Sequence, residues 1–148
     1  MRILVDGDAC PVKEIIIRVA KAHKVPVDMY IDSSHYFQDD YCKTIIIGKG
    51  KDAVDFALIS KAAKGDIIIT GDYGVATMAL SKGAHCIHPN GFIYSNDNMD
   101  RLLMERHLSA KARKAKKSYT KMKKRSVEQD IKFEKNFIKL VEKNHPDL

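Results

Sequence analysis

Long apolar runs are missing from this chain of 148 residues. Its purely aliphatic stretches are triplets such as Ile45-Ile46-Ile47. A membrane-crossing helix needs about 20 apolar residues, so no membrane partner is expected. Cysteine is also scarce. Cys10, Cys42 and Cys86 are odd in number and widely separated, which argues against a disulfide framework and for reduced thiols in a cytoplasmic protein. The N-terminus enters a strand-like run at once, with no signal-peptide pattern. No internal repeat occurs, and Ser109–Arg125 contains no acidic residue.

What is present is ordinary in amount and uneven in place. The chain is 45% hydrophobic and 30% charged. That suits one globular domain whose core hides roughly 70% of the unfolded surface. Residues 1–100 hold 11 Lys/Arg and 13 Asp/Glu, whereas residues 101–148 hold 15 and 6. A mildly acidic body is therefore followed by a basic extension. Nine of the 17 residues from Ser109 to Arg125 are basic: Lys111, Arg113, Lys114, Lys116, Lys117, Lys121, Lys123, Lys124 and Arg125. Such a block attracts polyanions by counterion release, which makes it a candidate nucleic-acid interface; a solvated helix face is the plainer alternative. The expected organisation is an α/β domain over 1–108, a basic linker or helix extension over 109–125, and an amphipathic helix over 126–148.

Short aliphatic segments alternate with helical patterns. Ile3-Leu4-Val5 reads as a buried strand ending in the turn Asp6-Gly7-Asp8. Pro11 then stands where a helix starts, and Val12, Ile15, Ile16, Val19 and Ala20 mark its buried stripe. Strands follow at Pro26–Ile31 and Thr44–Ile47, separated by the polar loop 32–40. Asp52–Ala63 is helical, with Val54, Ala57, Leu58 and Ala62 on one side. Ile67–Ile69 is a fourth strand, closed by Thr70-Gly71-Asp72. A helix through Val75, Ala76, Ala79 and Leu80 leads to a fifth strand at Ala84–Ile87. Helical spacing resumes at Met99, Leu102 and Leu103. Ser126-Val127-Glu128-Gln129 has the form of a capping box, and Val127, Ile131, Ile138 and Val141 mark a last helix, with Phe133, Phe137 and Leu140 beside them. Strand and helix in alternation predict a mainly parallel sheet of 4–5 strands covered on both faces.

In such a sheet, ligands bind beyond the carboxyl ends of the strands. Asp6 and Asp8 follow the first strand, Asp52 and Asp55 follow the third, and Asp72 follows the fourth. Five carboxylates from three regions can meet at one rim. Their repulsion calls for protons or a hard divalent cation such as Mg²⁺ or Mn²⁺. Each also has a structural alternative: Asp52 and Asp55 at a helix N-terminus, Asp72 as a cap, Asp8 in a turn.

At these residues the sequence resembles the YaiI/YqxD family of bacterial proteins. The resemblance rests on Val5-Asp6-Gly7-Asp8-Ala9-Cys10-Pro11-Val12, Asp52-Ala53-Val54-Asp55, Gly65 through Gly74, and Lys82-Gly83-Ala84. Pro89, Gly91, Tyr94, Asn98 and Arg106 fit the later pattern. The chain departs from that pattern at Gly7, where Ala is usual, at Asn90, where Arg often stands, and at Phe56, where an acidic or polar residue is common. The resemblance implies a PIN-like, Rossmann-like three-layer sandwich whose relatives are metal-dependent ribonucleases. It implies Asp6, Asp8, Asp55 and Asp72 as catalytic and metal-binding residues, with Asp52 as a further metal ligand. The expected activity is phosphodiester hydrolysis, with RNA as partner.

Other constellations carry less. Cys10 before a helix start lacks an adjacent base and reads as a packed thiol. His85-Cys86-Ile87-His88 lies on a strand that sends alternate side chains to opposite faces, against a zinc site. Ser33-Ser34-His35 is a polar loop near the rim. Gly48-Lys49-Gly50-Lys51 lacks P-loop spacing. Asn98 and Arg106 either contact a phosphate or tie the last helix of the body. Two further readings compete with the nuclease: a non-catalytic RNA- or ribosome-associated binding protein using the basic segment, and a phosphatase using Asp6-x-Asp8 as nucleophile and acid/base.

Overall fold

The structure is a computed structural model that describes residues 1–48, 51–116 and 125–145. Its elements in chain order are β1 (Ile3–Asp6), α1 (Lys13–Ala22), β2 (Val27–Asp32), β3 (Lys43–Ile47), α2 (Lys51–Lys61), β4 (Ile67–Ile69), α3 (Tyr73–Ser81), β5 (His85–Ile87), β6 (Ile93–Tyr94), α4 (Asn96–Lys116) and α5 (Val127–Asn144). One six-stranded sheet has the order β3-β2-β1-β4-β5-β6, parallel from β3 through β5 and antiparallel at β6. The sheet thus has one strand more than the 4–5 expected. The sixth is two residues long, too short to show a period of two, and pairs Cys86 with Tyr94.

Successive strand residues point to opposite faces, so each aliphatic triplet feeds two cores. Ile3, Val5, Met29, Ile31, Ile67, Ile69 and Ile87 pack with α1 and α5. Leu4, Tyr30, Ile68, Cys86 and Tyr94 pack with α2, α3 and α4. Three layers result. The β2–β3 crossover has no helix; Phe37 and Tyr41 of the loop pack on the α1 side in its place, and the Tyr41 hydroxyl donates to the Val25 carbonyl at 2.6 Å.

The C-terminal helix belongs to this core. Its N-terminus carries the expected capping box between Ser126 and Gln129. Its buried stripe is Phe133, Phe137, Leu140 and Val141, while Val127 and Ile131 are exposed, so the seam is rotated from the one the apolar spacing suggests. Gly91 sets that rotation. At φ +101° it lets the 88–92 turn approach so closely that a Cβ would stand 2.8 Å from the Phe133 nitrogen. Asn136 Nδ2 donates to the Gly91 carbonyl at 2.6 Å. Arg125 donates to Asp130, Asn90 and the Pro89 carbonyl, tying the start of α5 to the same turn. Upstream, α4 runs from Asn96 to Lys116 and so includes residue 108. Among the described residues no helix is long and apolar enough to cross a membrane.

Candidate functional site

The strand order fixes where a cleft opens. From β1 the chain steps outward to β2 and β3, then α2 carries it back across to β4 on the other side of β1. Crossovers on opposite sides leave a gap beyond the carboxyl ends of β1 and β4, the topological switch point of a doubly wound sheet. Asp6 ends β1 and Asp72 follows β4, so they flank that gap.

Thr70 joins the two. Its buried hydroxyl donates to Asp6 Oδ2 and accepts from the Asp72 backbone nitrogen, both at 3.0 Å. Asp72 Oδ1 caps α3, accepting from the nitrogens of Gly74 at 2.8 Å and Val75 at 3.1 Å. The capping role expected of Asp72 is therefore real, and it coexists with a place in the cleft. Burial raises the Asp6 carboxyl above the usual carboxylate range; the Thr70 hydrogen bond opposes this, and the charges of Asp8 and Asp72 add to the rise. No lysine or arginine pairs with Asp6, Asp8 or Asp72 among the described residues.

Gly7 turns the chain between Asp6 and Asp8. Its nitrogen donates to the Tyr30 carbonyl at 2.8 Å. A Cβ there would stand 2.8 Å from Ile31 Cγ2 and 2.9 Å from Met29 Sδ. Those two side chains occupy the space that an alanine would need. Asp8 then meets the end of β2: its Oδ1 accepts from the Asp32 nitrogen at 2.9 Å. Asp32 Oδ1 in turn accepts from Ser34 Oγ at 2.5 Å, the Ser34 nitrogen at 2.8 Å and His35 Nδ1 at 2.8 Å. The Ser34 and His35 hydrogen bonds hold the Asp32 carboxyl down at about 2, and the bond to Asp32 raises the imidazole of His35. Ligand atoms of Asp8, Asp32 and His35 lie within 4.8 Å of one another.

The resulting cleft has a volume of about 410 Å³. Asp6, Asp8, Asp32, Asp55 and Asp72 line it, together with Ala9, Val54, Gly71 and Arg106 of α4. Four residues marked in the sequence, Asp6, Asp8, Asp55 and Asp72, are brought together. Asp52 is not: it is exposed on the first turn of α2 and does not line the cleft. Asp32 and Thr70 are site residues that sequence pattern alone does not mark. Asp32 ends a strand as Asp6 does, a signal masked by the polar loop that begins there. Thr70 precedes Gly71-Asp72, but nothing in the sequence says that its hydroxyl spans two strands.

Other sequence candidates resolve as packing. Cys10 and Cys86 are buried, and burial pushes their thiols up to about 11 and about 12, far from thiolate chemistry. His88 stacks on Phe92, with centroids 4.4 Å apart, and does not join Cys86 or His85 in a ligand set. Asn98 ties α4 to the body through Ser95 and the Ile93 carbonyl. Of the basic segment, Lys111 is exposed on α4, the backbone at Arg113, Lys114 and Lys116 is helical, and Arg125 is engaged as above. Lys117, Lys121, Lys123 and Lys124 lie outside the described residues, as do Lys49 and Gly50.

Strand order and cleft together define a doubly wound α/β protein with a carboxylate-lined cleft at its switch point. More narrowly, the chain belongs to the YaiI/YqxD family: the family model described as "Uncharacterized BCR, YaiI/YqxD family" matches residues 4–143. The match covers all of the cleft and most of α5. Among curated proteins the chain is similar to the UPF0178 protein of Alkaliphilus oremlandii, 47% identical over 144 residues, 97% of this chain and 93% of the relative. It is 51% identical to the UPF0178 protein of Clostridium acetobutylicum over 143 residues, 95% and 97% of the two chains. The UPF0178 protein of Ruminiclostridium cellulolyticum is 52% identical over 135 residues, 91% and 88%. No solved structure matches the chain.

Proposed function

We propose that the cleft is the site of a PIN-like, metal-dependent phosphodiesterase acting on RNA. One observation carries the reading: Asp6 and Asp72, from strands distant in sequence, flank the switch point on either side of one buried hydroxyl, without a basic partner among the described residues. Pure charge crowding of this kind costs stability and favours a cation between the carboxylates. The donor type, carboxylate oxygen, fits a hard ion, and the ligand atoms that stand within 4.8 Å of one another are those of Asp8, Asp32 and His35. Asp6, Asp8 and Asp72 each present carboxylate oxygens, and in each a protein donor occupies one oxygen: Thr70 on Asp6, the Asp32 nitrogen on Asp8, the start of α3 on Asp72. Each carboxylate is thus oriented while its second oxygen remains for a ligand. Asp55 of α2 also lines the cleft. When bound, Mg²⁺ or Mn²⁺ supplies an activated water and charge stabilisation at the leaving oxygen. The protein's own part is positional: Thr70 fixes the spacing of β1 and β4, and α3 directs its N-terminal dipole toward the anionic group.

The buried, high-pKa thiols suit the reducing cytoplasm. RNA is the substrate favoured by the basic extension on α4.

Purified protein with Mn²⁺ is expected to cleave single-stranded RNA, and an Asp6→Asn/Asp72→Asn double variant to lose at least about 100-fold in rate. Equal cleavage by both would remove the reading. RNA binding by both, with cleavage by neither, would replace it with the non-catalytic binding protein.

A further inference from the structure

Among the described residues that line the cleft, Arg106 of α4 is the cation, beside five aspartates. No ion pair or hydrogen bond joins it to Asp6, Asp8, Asp32 or Asp72 among the described residues. Its guanidinium rests over the ring of Tyr73, 5.3 Å from the centroid. Tyr73 is the residue after Asp72 and is held edge-on against Tyr94 and Phe92, at 5.6 and 6.5 Å. Such a platform keeps an arginine from collapsing onto the nearest carboxylate. It also leaves the N–H edge of the guanidinium, which matches phosphate geometry, available to a ligand. We propose that Arg106 anchors a phosphate of the substrate strand beside the carboxylates, and that α4 guides that strand away from the cleft toward its basic end. This rests on the reading of the cleft as a phosphodiesterase site.

The charge logic favours a polyanion over a free metabolite. Five carboxylates repel an anion, so a phosphate that enters needs compensation on the approach side. Arg106 provides it at the cleft, and the basic residues that follow on α4 raise the positive charge of the same helix. From Arg106 to Lys116 the helix runs about 15 Å at its usual rise. That length suits several contacts to one strand, not a single small anion.

The test is the affinity for a fluorescent single-stranded RNA of about ten nucleotides, a length within single-strand site sizes. Anisotropy is read in Ca²⁺, which takes the same oxygen ligands, and Mn²⁺ uptake is measured separately by calorimetry. Arg106→Ala and Arg106→Gln are expected to bind about tenfold more weakly, with the slope of log affinity against log salt shallower by about one. Arg106→Lys recovers part of the loss, since it keeps the charge without the fork. In cleavage, KM rises about tenfold while kcat changes little. Equal RNA affinity of wild type, R106A and R106Q, with Mn²⁺ uptake intact, overturns the anchor and spares the phosphodiesterase reading. R106A variants that lose Mn²⁺ along with RNA also overturn it, because the residue would then shape the metal cleft instead of binding substrate. A wild type that takes up no Mn²⁺ removes the phosphodiesterase reading; a tenfold RNA loss in R106A under that result still supports the anchor.

Discussion

The joint that docks α5 and the cleft at the switch point treat polar groups in opposite ways. At the joint each group has a partner: Arg125 reaches three acceptors, Asn136 donates to Gly91, and Phe133 and Phe137 stack at 5.3 Å with no exposure. In the cleft, like charges face one another across β1 and β4, Asp6 is raised by burial and by its neighbours, and the nearby arginine rests on a ring. The first arrangement maximises satisfied contacts. The second sets like charges beside one another, each of Asp6, Asp8 and Asp72 held on one oxygen by a neutral donor. Stability forgone at one place and kept elsewhere is what a ligand site looks like before its ligand arrives.

The sharpest way to break that contrast is to strike the joint. Phe137→Ala removes a fully buried ring from the core that also holds β1 and α1. A cost of about 3–5 kcal/mol is expected, read as a lower urea midpoint with unchanged slope. Loss of RNA cleavage should follow loss of fold and return at lower temperature. A cost under about 1 kcal/mol, or a separate early transition for α5, would show that the helix is an appendage and that the joint is not a source of stability.

This docking marks the limit of what the sequence discloses. The strand triplets and the aspartates after them are legible because an aliphatic run ending in a charged turn has few other readings. The direction in which α5 turns is not. Val127 and Ile131 are as apolar as Val141, and the buried face is set by tertiary contacts, among them the close approach of Gly91 and the bonds of Arg125 and Asn136 to the same turn. The strand β6 escapes because two residues show no alternation. The convergence of Asp6 with Asp72 is half legible: their places after strands can be read, but their adjacency depends on α2 carrying the chain from the edge strand back to β4. Thr70 and Asp32 enter the site through hydrogen bonds to Asp6 and Asp8, 64 and 24 residues away, a pairing that no local pattern gives.

Acid should separate the two regions next. His88, in the turn that receives α5, is stacked on Phe92 and accepts from the Asn90 nitrogen; burial, with help from the charge of Arg125, lowers it to about 4. The unfolded chain takes up this proton near pH 6.5, before the folded chain does. The neutral ring's contribution is therefore complete above about pH 6.5 and is lost as pH falls toward about 4. After discounting for its partial exposure, the loss is about 1–2 kcal/mol. His88→Asn keeps an acceptor for the Asn90 nitrogen but cannot titrate. The difference in stability between wild type and variant, followed by urea unfolding from pH 7 to pH 4.5, should shrink steadily. A difference that stays constant with pH would show that the joint does not hold the imidazole neutral.

The smallest effect has the opposite sign. Asp6→Asn keeps the shape of the side chain and an oxygen for the Thr70 hydroxyl, but deletes a charge that burial, Asp8 and Asp72 all disfavour. An acid raised by folding destabilises the folded state once it ionises, so at pH 7.5 the variant should be slightly more stable while its cleavage is lost. The gain should vanish at a pH low enough to protonate the carboxyl in the unfolded chain as well. Mn²⁺ should reverse the order. A cation bound only by the folded wild type adds about 2.7 kcal/mol at 100 times its dissociation constant. The variant, short of one ligand, gains less. Melting curves with and without Mn²⁺ would therefore cross: the variant above wild type in chelator, below it in metal. If Asp6→Asn is less stable in both, Asp6 belongs with the joint as a structural group. The contrast between the two regions then disappears, because the carboxylates would be contributing to the fold instead of straining it.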